Sequence, residues 1–134
     1  MAGERDLTKL IRNMKPDLQP GTYVFTTVNI MKGIPLTDII CVFREKEGIT
    51  IVMEQDKADK LQLHYDFLAA WITLNVHSSL DATGLTAVFS NALAKQAISC
   101  NVISGYYHDH IFIEKKDENI AISVLHELSI NFRE

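Results

Sequence analysis

The chain has only two cysteines in 134 residues, Cys41 and Cys100. Cys41 alternates with Ile39 and Phe43, and Cys100 with Ile98 and Val102. Both therefore read as small core hydrophobes of a reducing compartment, with no disulfide implied. No positively charged leader precedes an apolar run, which predicts no secretory signal. The longest apolar-looking run, Phe67 to Val76, includes Thr73 and Asn75 and is too short to span a bilayer. Basic residues are in slight deficit, 13 Lys and Arg against 17 Asp and Glu, for a net charge of −4. They are scattered rather than gathered into a stripe, which argues against a nucleic-acid partner. There is no P-loop, no Gly-x-Gly-x-x-Gly and no Gly-x-Ser-x-Gly elbow, so enzyme activity has no positive support. A cytoplasmic protein without a membrane partner is the expectation.

What is there centres on residues 72–113. Ile72, Leu74 and Val76 alternate as the apolar face of a strand, with Thr73, Asn75 and His77 on the other. Leu85, Val88, Phe89, Ala92 and Leu93 then follow helical spacing. Ile98, Cys100 and Val102 alternate again, as do Ile111 and Ile113. Earlier, Asp6 opens a helix whose Leu7, Leu10, Ile11 and Met14 share a face, and Pro16 stops it. Strands follow at residues 22–28, 39–44 and 49–53, the last two as a hairpin around Glu45–Gly48. The connection 29–38 is too short for a crossover helix, which predicts that the strand after it runs antiparallel. Residues 56–63 read as a surface helix, and Ile120, Ala121, Val124, Leu125 and Leu128 as the stripe of a last one. Ile130 and Phe132 either add a final strand or tuck the tail against the core.

The loop Ser78–Gly84 joins a strand end to a helix start. Asp81 and Thr83 are both candidate N-caps, and Gly84 lets the backbone pass close to a neighbour. Unpaired first-turn amides and the helix dipole make such a start a site for a carboxylate or phosphate. An ordinary capped turn is the competing reading. His108-Asp109-His110 places two histidines on one side of an extended segment, but no third ligand is defined, so no metal is expected. Cys100 as a nucleophile beside those histidines conflicts with its core spacing.

Asp81-Ala-Thr-Gly84-Leu85, Phe89, Leu93 and Ile98–Ile103 resemble the ACT domain, the small-molecule regulatory module of aspartokinases and related enzymes. Thr83 stands where proline is common in that loop. His77–Gly84 together with Gly105–His110 is similar to the aspartokinase-type subgroup, which includes amino-acid sensors and small stand-alone bacterial proteins. Residues 7–10, 20–25 and 47–50 resemble the leading half of those small proteins.

This resemblance implies an α+β fold of two ferredoxin-like βαββαβ units, residues 1–65 and 66–134, with antiparallel sheets and helices on one face. The second half is one strand short, so either the halves exchange a strand or Ile130 and Phe132 supply it. The resemblance also implies a non-catalytic protein without a cofactor. A free amino acid would bind through Ser79, Asp81, Thr83, Gly84 and Leu85, with its ammonium group at the backbone of Asn101 and Val102. Asp109 would pair with a cationic side chain, or else cap a turn. A homodimer that signals to a separate effector protein is implied as well. The alternative is an ACT-type dimerisation module without ligand; an enzyme using the histidine cluster ranks last.

Overall fold

The computed structural model of the chain describes residues 3–133. It divides into two compact units, one from the residues up to Pro20 together with those from Ala70 onward, the other Gly21–Ala69. The spatial division thus differs from a division of the sequence at 65/66, because the first helix and its following strand pack with the second half.

In the discontinuous unit, Asp6 caps α1 (Leu7–Asn13), its Oδ1 accepting from the Lys9 amide at 3.0 Å. Pro16 ends the helix and begins β1 (Pro16–Leu18), a strand that hydrophobic spacing did not signal. The chain returns as β5 (Leu68–Leu74), followed by α3 (Leu85–Ala94), β6 (Asn101–Ser104), β7 (Asp109–Glu114) and α4 (Glu118–Asn131). Strand order is β1-β5-β7-β6. The strand–helix–strand–strand–helix run of the C-terminal half lacks a last strand, and β1 takes its place, paired antiparallel with β5 from Pro16↔Leu74 to Leu18↔Ile72. The exchange is therefore the solution adopted. Ile130 lies in α4 and Phe132 caps it, so neither forms a strand; Phe132 packs against the core instead.

That core follows from the two periods. Ala70, Ile72 and Leu74 from β5 and Ile111 and Ile113 from β7 turn the same way. Leu10, Ile11 and Met14 of α1, Leu85, Phe89 and Leu93 of α3, and Ala121 and Leu125 of α4 cover them. Ile120, placed in the last helix's stripe by spacing, is exposed instead.

The unit Gly21–Ala69 contains β2 (Tyr23–Val28), β3 (Ile39–Arg44), β4 (Ile49–Glu54), α2 (Gln55–Lys60) and the first residues of β5. Its order is β3-β4-β2-β5, the same ferredoxin-like arrangement. Both β2 and β3 pair antiparallel with β4, so they run parallel to each other. The expected antiparallel return after residue 29 is thus incorrect. The connection skips one strand position, using a single 3-10 turn, Leu36–Asp38, where a helix would ordinarily cross. A register shift between Ile39 and Cys41 leaves Ile40 as an extra residue. Ile39 therefore pairs with core Met53, while Cys41 and Phe43 pair with Val52 and Thr50 on the opposite face. Their sequence alternation did not put them on one face. Val24, Ile51, Met53 and Ala58 form this unit's small core. No described helix is long and apolar enough to cross a membrane.

Leu93 is fully buried at the inner end of α3. Leu93→Ala should lower stability by ~2–5 kcal/mol, the range for truncating a buried leucine. An unchanged urea midpoint would contradict the placement of α3.

Candidate functional site

Gly84 sets the geometry of the helix start. It is the N-cap of α3, with φ +96°, in the left-handed region that favours glycine, and no side chain caps the first turn. The candidate caps Asp81 and Thr83 therefore do not cap. Asp81 sits too early in the loop. Its carboxylate instead accepts from the Ser79 hydroxyl and pairs with the Arg5 guanidinium at 3.2 Å. The hydroxyl and the guanidinium charge outweigh slight burial and hold its carboxyl below the usual range. Thr83 is exposed.

Beside this start lies a cavity of about 180 Å³, lined by Ser78, Ser79, Leu80, Ala82, Gly84, Leu85, Thr86, Ser104 and Asp109. It is smaller than the ~300–1,000 Å³ of a drug-sized pocket. Asp109 is its one ionisable lining residue and is only 6% exposed. Its Oδ2 accepts from the Ser78 hydroxyl at a long 3.5 Å.

Of the residues singled out from sequence, Ser79, Gly84, Leu85 and Asp109 come together here. Asp81 braces the loop through Ser79 and Arg5, Thr83 is exposed, and neither lines the cavity; Asn101 and Val102 stand at the other end of β6. The Asn101 amide donates to the Phe112 carbonyl at 3.2 Å, while Val102 packs against the core. Ser78, Leu80, Ala82, Thr86 and Ser104 were missed. Ser104 had a signal: it pairs directly with Asp109 across the β6–β7 hairpin, whose turn closes by Gly105 N–H donating to the His108 carbonyl at 2.8 Å.

The histidines are otherwise engaged. His77 packs against Tyr107 and Tyr106, with centroids 5.6 and 6.4 Å away. The rings of His108 and His110 are 6.3 Å apart and nearly perpendicular. Trp71 Nε1–H donates to His110 Nδ1 at 3.1 Å, and the Thr73 hydroxyl lies 3.0 Å from the same nitrogen. Gln19 Nε2–H donates in turn to Thr73 at 3.0 Å. Among the described residues, no group of three or more His, Cys, Asp or Glu is arranged to hold a metal ion. Burial pushes the Cys100 thiol up to about 11, which keeps it protonated and a poor nucleophile.

Residues 2–70 match the ACT domain family, and residues 68–127 match a second ACT domain pattern. The chain is similar to a Vibrio cholerae protein of unknown function, described as a possible transport protein. The two are 46% identical with a TM-score of 0.82, over 92% of this chain and 95% of that one. It also resembles E. coli aspartokinase III in complex with aspartate and ADP, at 10% identity and TM-score 0.65, over 87% of this chain and 33% of that one. The regulatory subunit of aspartate kinase from Thermus thermophilus is similar at 9% identity and TM-score 0.57, over 84% and 95% of the two chains. The last two likenesses are of fold. No curated protein matches the chain.

His110 generates a pH prediction. Burial, then the nearby His108 charge, lowers its pKa from the ordinary 6.5, against the opposing pull of Asp109. The unfolded chain then takes up this proton more readily, so stability falls as pH drops through 6.5 towards the folded value. Between about pH 7.5 and about pH 5.5, His110→Gln should lose less of its urea midpoint than the parent chain. Identical losses would contradict the burial of the His110 imidazole as the source of this pH dependence.

Proposed function

The chain belongs to the ACT domain family, and from that membership we propose that it is a non-catalytic cytoplasmic regulatory protein that binds a free amino acid beside the start of α3. The observation that carries this reading is the lining of one cavity by both an uncapped helix start and a buried carboxylate. The helix start favours an anion through its free amides and dipole. Asp109 favours a cation, and burial makes an unmatched carboxylate costly. A molecule carrying both a carboxylate and a cationic group suits that pair, and a basic amino acid suits it best. Ser78, Ser79 and Ser104 add hydroxyls that donate or accept as the ligand requires. In this proposal Asp81 and Thr83 shape the loop, and the Asn101–Val102 backbone serves a ligand that extends along β6. The sequence halves 1–65 and 66–134 are taken as two repeats of the family domain, the first lending α1 and β1 to the second.

We further propose a homodimer that passes its ligand state to a separate effector protein. Support comes from β3, which ends the strand order and exposes apolar side chains, Phe43 to 69%. Edge strands of this kind invite pairing. Sedimentation at micromolar concentration should give a dimer, and a clean monomer would refute it.

The ligand reading is tested by thermal shift with each of the twenty amino acids at millimolar concentration. A ligand at ~100 times its dissociation constant adds about 2.7 kcal/mol, enough to move the melt by several degrees. Gly84→Val should abolish the shift relative to its own ligand-free melt, since a branched residue is strained at that φ. Asp109→Ala should weaken lysine or arginine while leaving a neutral amino acid nearly unaffected. If no amino acid moves the melt, a dimerisation module without ligand becomes the better reading. If a hit survives both substitutions, the site lies elsewhere.

A further inference from the structure

We propose that Gly3–Leu7 is a positioning strap for the loop 77–84, so that the shape of the ligand cavity depends on a segment that does not itself line it. This rests on the ligand reading of that cavity and adds a set of residues to it. The strap touches the loop at each of its turns. Glu4 N–H donates to the His77 carbonyl at 2.8 Å, and the Glu4 carbonyl accepts from Ser79 N–H at 2.9 Å. Ser78 is thereby bracketed in a parallel bridge with Glu4, and both Ser78 and Ser79 line the cavity. Apart from the local bond of Ser78 N–H to the Val76 carbonyl at 3.1 Å, these two are the described turn and loop backbone bonds that reach residues 77–83 from outside the loop.

The fit leaves no room for a side chain at position 3. A Cβ on Gly3 would stand 2.6 Å from the His77 oxygen, 2.6 Å from the Ser78 carbonyl carbon and 2.7 Å from the Ser79 nitrogen. All three are backbone atoms, so either strap or loop must move. Further along, Arg5 pairs with Asp81, whose carboxylate also holds the Ser79 hydroxyl. Both partners are about two-thirds exposed, 67% and 65%, so the ion pair itself contributes little and the backbone bonds carry the weight. Leu7 then passes beneath Gly84, its Cδ2 standing 3.0 Å from where a Cβ there would lie. Behind it, fully buried Leu10 and Ile11 anchor α1. The strap is therefore tethered to the core at one end and hydrogen-bonded to the loop at the other.

Hydrogen exchange on the full chain tests this, comparing the parent with Gly3→Val, Glu4→Pro, Arg5→Ala and Arg5→Lys. Exchange across 77–84 should quicken about tenfold or more in Gly3→Val and Glu4→Pro, while β5 and β7 amides keep their protection. Arg5→Ala should give a smaller increase that Arg5→Lys largely reverses. With L-lysine and L-arginine as probes, the thermal shift should shrink in Gly3→Val although the ligand-free melt moves little. Unchanged loop exchange in both backbone variants would overturn the strap. So would loss of protection spread equally over β5 and β7, which would mark a general loosening. If the parent chain responds to no amino acid, the ligand reading fails, and loop exchange alone decides the strap.

Discussion

Three residue pairs between β1 and β5 hold together much of what this protein offers. Without Pro16–Leu18, one edge of β5 would be open and the discontinuous unit would lack a strand. The pairing is extended on both sides, by Asn75 N–H to the Lys15 carbonyl at 2.8 Å and by Gln19 N–H to the Trp71 carbonyl at 2.9 Å. Proline costs little here because it opens a short strand at the end of the order, where a missing donor is tolerated. Through β1 the chain also fixes α1, whose Leu10, Ile11 and Met14 complete the core beneath α3 and α4. At its far end, Gln19 enters the Thr73–His110–Trp71 network.

The candidate site is a product of the same arrangement. Its strand-borne members, Ser104 and Asp109, are held opposite each other by the β6–β7 register, and Asp109 turns to the helix-covered side with Ile111 and Ile113. Its helix-borne members depend on a loop that α3 alone does not order. The Asp109 carboxylate is buried with one long hydrogen bond from Ser78, and the first turn of α3 has no side-chain cap. Both features suit the zwitterionic ligand proposed above.

Long amphipathic elements were legible from sequence because their period is strong. Leu85, Phe89 and Leu93 are buried at the spacing that predicts it, and Asp6 caps α1 as its position suggests. Short or irregular features were not. β1 has three residues and begins with proline, so no alternation could reveal it. The extra residue at Ile40 separates Ile39 from Cys41 and Phe43, and a bulge has no period to detect. β5 and β7 carry buried residues on both faces, including Thr73 and Phe112, which erases the contrast that an alternating strand needs. Residue type singled out Asp109, Gly84 and Ser79, which line the cavity. Ser104 required counting the hairpin register, and Asp81 and Thr83, singled out as caps, stand beside the cavity without capping α3.

The interrupted layout of the larger unit also bears on how the protein acquires its structure during synthesis. Residues 21–69 have near neighbours in sequence, so their sheet can close as soon as they leave the ribosome. α1 and β1 are made before residues 21–69 yet find their partners only when β5, α3 and α4 have followed. Closing that long loop delays the slowest contacts until α4 has been made. During that interval Leu10, Ile11 and Met14 are an uncovered apolar stripe, open to association with other chains.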